Sequence, residues 1–346
     1  MKALLKTHQG PGLEIADMPV PEPLENEVLI KVQKSAICGS DLKILHWMPP
    51  VSSLVEKLPF VPGHECSGTV VEVGKNVKHF KAGDRVAVDT HISCGKCWQC
   101  LNGRAHTCEN MLLFGHQVNG CFAEYVTVSE RAVFALPEEV DYETGCLFEP
   151  MGIPFRAVER GEVKGETVLV IGCGPIGLFA IAFSRLMGAS RIVAADINSY
   201  RLELAKKLGA DVSVDVRQSS LRETLDGTLG FEKGLGVIIE ASGSVKTLKE
   251  AIAATRVGAK VMCIGHSQEA LSLQLSPEIV LRELEIVGFF GRRIWDTWEK
   301  VSALAKQNSE FLKQVITHRF SIEEYESAFQ VAEEGSGGKV LFNFGQ

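Results

Sequence analysis

The 346-residue sequence has no charge-free apolar run of bilayer length. Its opening residues, Met1-Lys2-Ala3-Leu4-Leu5-Lys6-Thr7-His8, carry charge without an apolar stretch before Gly10-Pro11-Gly12. Neither a transmembrane span nor a secretory leader is therefore expected. Positive charge is not in excess: 36 Lys and Arg stand against 43 Asp and Glu, a formal net charge of -7. Neutralising phosphates takes clustered cations, so nucleic acid and anionic membranes are not expected partners. Internal repeats and low-complexity segments are missing too, and Glu333–Lys339 reads as an ordinary surface turn. The ten cysteines do not form a disulfide scaffold, because four crowd into the stretch Cys94–Cys108. What remains is a soluble, reduced, cytoplasmic protein suited to small neutral or zwitterionic molecules.

At this length, with 45% hydrophobic residues, the chain can build two cores. The first half carries short β-type runs punctuated by Gly and Pro, at Glu27–Val32, Ser67–Val73, Asp84–Asp89 and Ala123–Val128. They predict a β-rich, barrel-like unit. From Val168 the rhythm changes, as apolar strands at Val168–Ile171, Arg191–Asp196, Val237–Ala241, Lys260–Gly265 and Leu284–Phe290 alternate with helical stretches. That alternation predicts an α/β doubly wound parallel sheet. The helix from Pro175 to Met187 is almost wholly apolar, as one covered by both the sheet and a neighbouring domain would be. A last strand near Lys339–Phe344 either closes the sheet or returns to the first domain.

Three groups of residues carry chemistry. Cys94, Cys97, Cys100 and Cys108 form C-x2-C-x2-C-x7-C, which lets one loop fold four thiolates around a tetrahedral zinc. The competing readings are an iron–sulfur cluster, whose common spacings differ, and plain reduced thiols. Ile37-Cys38-Gly39-Ser40-Asp41 and Pro62-Gly63-His64-Glu65 offer a Cys, a His and a carboxylate from distant loops, and Glu149 in Phe148-Glu149-Pro150 offers another carboxylate. Three such donors leave a coordination position open, as a catalytic zinc needs. Read one at a time, Cys38 is equally a small core residue, His64-Glu65 a surface pair and Glu149 a solvated loop carboxylate; Asp41 could orient a ligand from behind. Finally, Val168–Ile171 runs into Gly172-Cys173-Gly174-Pro175-Ile176-Gly177 and then a helix. This strand-turn-helix context makes GxGxxG a dinucleotide site, with Gly172 for the turn, Gly174 for approach to pyrophosphate and Gly177 for close packing. Asp196 ends the next strand where a ribose-binding carboxylate belongs and favours NAD over NADP. Arg201 either stacks on adenine or is a helix-surface charge.

Together these residues resemble the zinc-containing medium-chain dehydrogenase/reductase (alcohol dehydrogenase) superfamily over essentially the whole chain. The resemblance implies a GroES-like catalytic domain, residues 1–152 and 291–346, split around a Rossmann domain, residues 153–290. It implies two zinc ions, one at Cys38, His64, Glu65 and Glu149, the carboxylates binding directly or through water, and one at the four clustered cysteines, and NAD as hydride acceptor. Thr90–Cys97, Asn198–Lys207 and Gly291-Arg292-Arg293-Ile294-Trp295-Asp296-Thr297-Trp298 are similar to the members of the family that act on L-threonine. An amino alcohol such as L-threonine is then the expected substrate, with a polyol, sugar or cyclitol as the alternative. His91, Arg156 and Arg293 are pocket candidates by resemblance. Those members read Cys-Gly-Thr-Asp-Leu-His where this chain has Cys38-Gly39-Ser40-Asp41-Leu42-Lys43. Ser40 keeps the relay hydroxyl, while Lys43 or His46 is left as its outer member. A Gly-Asn-Ala run after the Glu-Pro pair becomes Met151–Arg156. Homo-oligomers, tetramers or dimers, are common in the family. A zinc- and nucleotide-binding sensor or structural protein is the non-enzymatic alternative, against which the intact ligand set argues.

Overall fold

The computed structural model describes residues 1–228 and 234–344. The chain divides into two compact units, Met1–Pro150 with Gly291–Gln346, and Met151–Phe290.

In the first unit a seven-stranded sheet runs in the order Ile316–Ser321, Lys339–Asn343, Glu27–Ala36, Glu65–Val73, Arg85–Val88, Val133–Ala135, with Tyr125–Ser129 also paired to Glu27–Ala36. Pairing is antiparallel except between Ile316–Ser321 and Lys339–Asn343. The last strand thus returns to the first unit, setting Leu341 opposite Ala36 and Phe342 opposite Ser35. Alternation explains the core: Val28, Ile30 and Val32 point inward on one strand and meet Val70, Val86 and Val88 from its neighbours. Phe122 stands edge-on to Phe342 at 5.3 Å and to Phe329 at 6.1 Å, closing the centre. A second aromatic group joins Phe134, Phe148, Trp295 and Trp298, with centroids 5.3 to 5.8 Å apart for the three pairs that include Trp298. The Trp-bearing segment opens a helix, Asp296–Leu312, and buries Trp298.

The second unit is a six-stranded parallel sheet in the order Val212–Asp215, Arg191–Asp196, Thr167–Ile171, Leu235–Glu240, Thr255–Cys263, Glu285–Gly288. The order reverses beside Thr167–Ile171, which places the glycine-rich turn at the switch point where such sheets bind ligands. Val212–Asp215 is the strand that apolar patterning misses: only four residues long, at the sheet edge, with a single fully buried side chain, Val214. The helix Pro175–Leu186 is buried at Leu178 through Ser184, which accounts for its apolar sequence.

Gly177 fixes the spacing of that helix against the sheet. A Cβ there would run into the Gly172 carbonyl, whose carbon would lie 2.8 Å away. Backbone cannot step aside cheaply, so Gly177→Ala is expected to destabilise the second unit by about 1–3 kcal/mol in urea unfolding. Gly174→Ala, whose added carbon meets only the tip of Arg201 at 4.0 Å, should leave the midpoint of the NAD-free protein unchanged. Equal effects at the two glycines would contradict this account.

Candidate active site and metal centres

Cys38 caps the short helix Gly39–Leu45, and its backbone N–H donates to Asp41 Oδ2 at 2.8 Å. His64 and Glu65 open the strand Glu65–Val73 from a turn that only glycine permits: Gly63 has φ +92°, and a Cβ there would sit 2.5 Å from the Phe122 ring. The pairing of this strand with Glu27–Ala36 sets Glu65 opposite Ala36, so the two loops meet. One donor atom each from Cys38, His64 and Glu65 falls within 4.8 Å of the others.

The surroundings test whether this set fits zinc. His64 Nδ1 and Asp41 Oδ1 are buried, have no hydrogen-bond partner and face each other at 3.6 Å. A zinc held by the other ring nitrogen would leave the proton on Nδ1, facing the Asp41 carboxylate, the usual support of a metal-bound histidine. Sulfur, imidazole and carboxylate are the donors of an open zinc site. Glu65 is also gripped by Lys339, whose ammonium donates to both carboxylate oxygens and, at 3.1 Å, to the Ile37 carbonyl. Lys339, read in the sequence as part of a surface turn, is instead 2% exposed and braces the metal loop.

Glu149 lies outside this triad. Its carboxylate accepts from the Thr90 hydroxyl and pairs with Arg292 Nη1 at 2.8 Å. Arg292 also forms a fork on Asp89, at 2.8 and 2.6 Å, and Trp298 Nε1 donates to the same carboxylate at 2.6 Å. Burial alone would raise the Asp89 and Glu149 carboxyls, but the guanidinium holds both below the ordinary range. The buried arginine is thus Arg292; Arg293, the one chosen from sequence, is exposed because the turn points only the first of the pair inward. His91 packs on Gly291, where a Cβ would lie 2.8 Å from its Nδ1, and its backbone N–H donates to Asp89 at 2.7 Å. Burial and the neighbouring Arg292 pull its pKa to about 4, so the ring is neutral.

The relay candidates separate. Ser40 sits in the first turn beside Cys38 and is partly buried, whereas Lys43 is exposed. The helix ends at Leu45, and His46 turns to Glu333 at 2.7 Å instead of continuing the helical face. In the second unit Arg156 donates to the Phe290 carbonyl at 3.1 Å and covers the Phe289 ring.

In the cysteine loop, Cys97 lies 3.5 Å from Cys100 and 3.8 Å from Cys108, and Cys94 lies 4.0 Å from Cys100, sulfur to sulfur. A tetrahedral zinc with Zn–S bonds of about 2.3 Å has S···S edges of about 3.8 Å; these three distances match it, and all four sulfurs lie within 4.8 Å of one another. Backbone N–H groups of Cys94 and Asn110, both 3.3 Å from Cys108 Sγ, support thiolate charge.

At the dinucleotide turn, Gly172 has φ +90°. The helix Pro175–Leu186 begins on Gly174 without a side-chain cap, which leaves its first N–H groups for a pyrophosphate. Asp196 accepts from Cys173 N–H at 2.5 Å and Asn198 N–H at 2.8 Å, so its carboxylate is held at the turn. Arg201 Nε is buried without a partner. These residues fit a dinucleotide.

Sequence comparisons agree with this geometry. Residues 24–138 match the alcohol dehydrogenase GroES-like domain and residues 175–307 the zinc-binding dehydrogenase domain. The chain belongs to the zinc-containing alcohol dehydrogenase family and is an NAD-dependent enzyme of it. It is 37% identical to the L-threonine 3-dehydrogenase of Bacillus subtilis over 341 residues, 99% of this chain and 98% of that one. Among solved structures it is similar to galactitol-1-phosphate dehydrogenase from Escherichia coli, with TM-score 0.88, 29% identity and coverage of 99% and 100%. A short chain alcohol dehydrogenase from E. coli CFT073, complexed with NADH, also gives TM-score 0.88 at 29% identity, with 99% of each chain covered.

Two outcomes follow. Asp41→Asn should weaken zinc at Cys38 and His64 about 10–100-fold while the four-cysteine ion stays, as read by metal content during chelator titration. Arg292→Leu should cost about 3–5 kcal/mol at pH 7, because it strands buried carboxylates. Depressed carboxyls stabilise the native protein above their unfolded pKa of about 4 and cease to as pH falls through the folded values. Without Arg292, burial raises Asp89, so the folded variant takes up a proton first and its deficit should shrink between pH 7 and 5. A deficit independent of pH would contradict the pairing.

Proposed function

We propose that the chain oxidises the 3-hydroxyl of L-threonine with NAD, giving 2-amino-3-oxobutanoate. The observation that carries this reading is the 37% identity to L-threonine 3-dehydrogenase across 99% of the chain. The Gly291–Trp298 segment adds to it by anchoring Asp89 and Glu149 through Arg292. Cys38, His64 and Glu65 are assigned to the catalytic zinc, and Cys94, Cys97, Cys100 and Cys108 to the structural one. Gly172, Gly174, Pro175, Ile176, Gly177, Asp196 and Arg201 are assigned to NAD. When bound, zinc supplies the Lewis acidity that acidifies an alcohol hydroxyl, and the nicotinamide supplies the hydride acceptor. The protein's own part is positional and protic. Asp41 steadies the His64 ring, Lys339 neutralises Glu65, and Arg292 neutralises Glu149, so that no bare carboxylate repels a developing negative oxygen. Ser40 Oγ takes the hydroxyl proton and passes it toward solvent; Lys43 is the nearer exposed outlet, since His46 is engaged with Glu333.

One observation favours a polyol or sugar instead. The buried cations Lys6, Arg292 and Lys339 all hold protein oxygens, so none of these three is left for a substrate carboxylate. A homo-oligomeric, cytoplasmic enzyme fits either reading. NADH formation at 340 nm on zinc-replete enzyme, with L-threonine against inositols, hexitols and short diols, separates them. L-Threonine is expected to give the highest kcat/KM; a polyol ahead of it would replace the substrate, and no NADH from any alcohol would sink the activity.

A further inference from the structure

His116 belongs to none of the groups above, yet it lies against the metal triad. Its ring lies 4.7 Å from that of His64, tilted by 41°, and it is near enough to His64, Asp41 and Glu149 to feel their charges. Two glycines let its loop come so close. Gly115, with φ +73°, would bring a Cβ within 3.1 Å of the His64 Cβ and 2.6 Å of the Gly63 carbonyl carbon, and Gly120 would press on the Pro62 carbonyl at 2.8 Å. Hydrogen bonds from Gly120 to Val61 at 2.7 Å and from Cys121 to Gly63 at 2.9 Å clamp the loop there.

The ring is 6% exposed, and its orientation is defined by one bond: Nδ1 lies 3.3 Å from the Phe114 carbonyl. A carbonyl only accepts, so in the neutral ring the proton is on Nδ1 and Nε2 carries the lone pair. Nε2 has no hydrogen-bond partner among the described residues, and it is not one of the sealed, unpaired buried atoms, so it borders accessible space. An acceptor that borders accessible space beside the triad is placed to take a hydrogen bond from a bound molecule in place of water. It is also not a fourth metal donor, because the triad within 4.8 Å comprises Cys38, His64 and Glu65 alone.

We propose that His116 determines substrate specificity: Nε2 accepts a hydrogen bond from the N–H or O–H group on the carbon next to the reacting carbinol. This rests on the alcohol dehydrogenase reading and deepens it. The site then selects vicinal amino alcohols and diols over simple secondary alcohols. His116→Val and His116→Gln should be compared with the wild type on L-threonine, 2,3-butanediol and 2-butanol, with zinc content checked at two ions per chain. Binding of the same compounds to the enzyme–NADH complex should be measured by calorimetry. Loss of the acceptor should raise KM and the dissociation constant about 10–100-fold for L-threonine, 2,3-butanediol or both, and leave 2-butanol within about 2-fold. Gln, whose amide oxygen still accepts, should recover part of the loss. Whichever donor-bearing compound suffers identifies the donor as ammonium or hydroxyl. Equal losses on all three compounds, or none on any, would overturn the proposal and leave His116 as packing for His64. If the wild type oxidises nothing but the selective binding loss persists, the dehydrogenase reading falls and the contact stands.

Discussion

Arg292 is the cation on which the first unit's interior depends. Asp89 and Glu149 come from different stretches of the chain and are both buried, a charge pair that would repel across a low-dielectric interior. One planar guanidinium satisfies both, forking on Asp89 while its third nitrogen reaches Glu149. A lysine has no such fork. The same ion ties the returning C-terminal segment to the β-rich body, because Trp298, one turn along the helix it precedes, donates to Asp89 as well. Such networks contribute little net stability, since desolvation offsets the attraction, but they allow few alternative arrangements. Burial, together with the nearby arginine, keeps His91 neutral.

Two further buried carboxylates of the first unit, Glu65 and Asp41, have partners as well. Glu65 meets Lys339, and Asp41 meets the Cys38 N–H and faces His64. What the protein's own cations leave unclaimed is the Cys38 sulfur and the His64 imidazole, whose donor atoms lie within 4.8 Å of each other and of a Glu65 oxygen. A divalent zinc would complete that arrangement in a way that protein side chains do not. The cysteine loop shows the same logic in closed form: four sulfurs within 4.8 Å of one another, which would fill the coordination of a tetrahedral ion by themselves.

Much of this was legible in the sequence, because the informative features were local. Gly172 to Gly177 announced the dinucleotide turn, and the spacing of Cys94, Cys97, Cys100 and Cys108 announced a metal cage. The parallel strands showed as apolar runs, except Val212–Asp215, a short edge strand with little to bury. What escaped depends on tertiary position. Nothing in Arg292-Arg293 says which arginine turns inward, and Lys339 follows a glycine-rich turn that normally belongs at the surface. His116 sits in an unremarkable loop, and its approach to His64, which Gly115 and Gly120 permit, shows only in the folded chain. His46 followed helical spacing on paper, but the helix stopped one residue short of it.

The central claim is that Cys38 and His64 hold a zinc distinct from the one in the cysteine loop. Anomalous diffraction from crystals of the zinc-replete protein, collected on either side of the zinc absorption edge, tests it directly. The account predicts two peaks per chain, one bounded by Cys38, His64 and the Glu65 carboxylate or a solvent oxygen, the other inside the four cysteine sulfurs. A single peak at the cysteine loop, with nothing between Cys38 and His64, would contradict it.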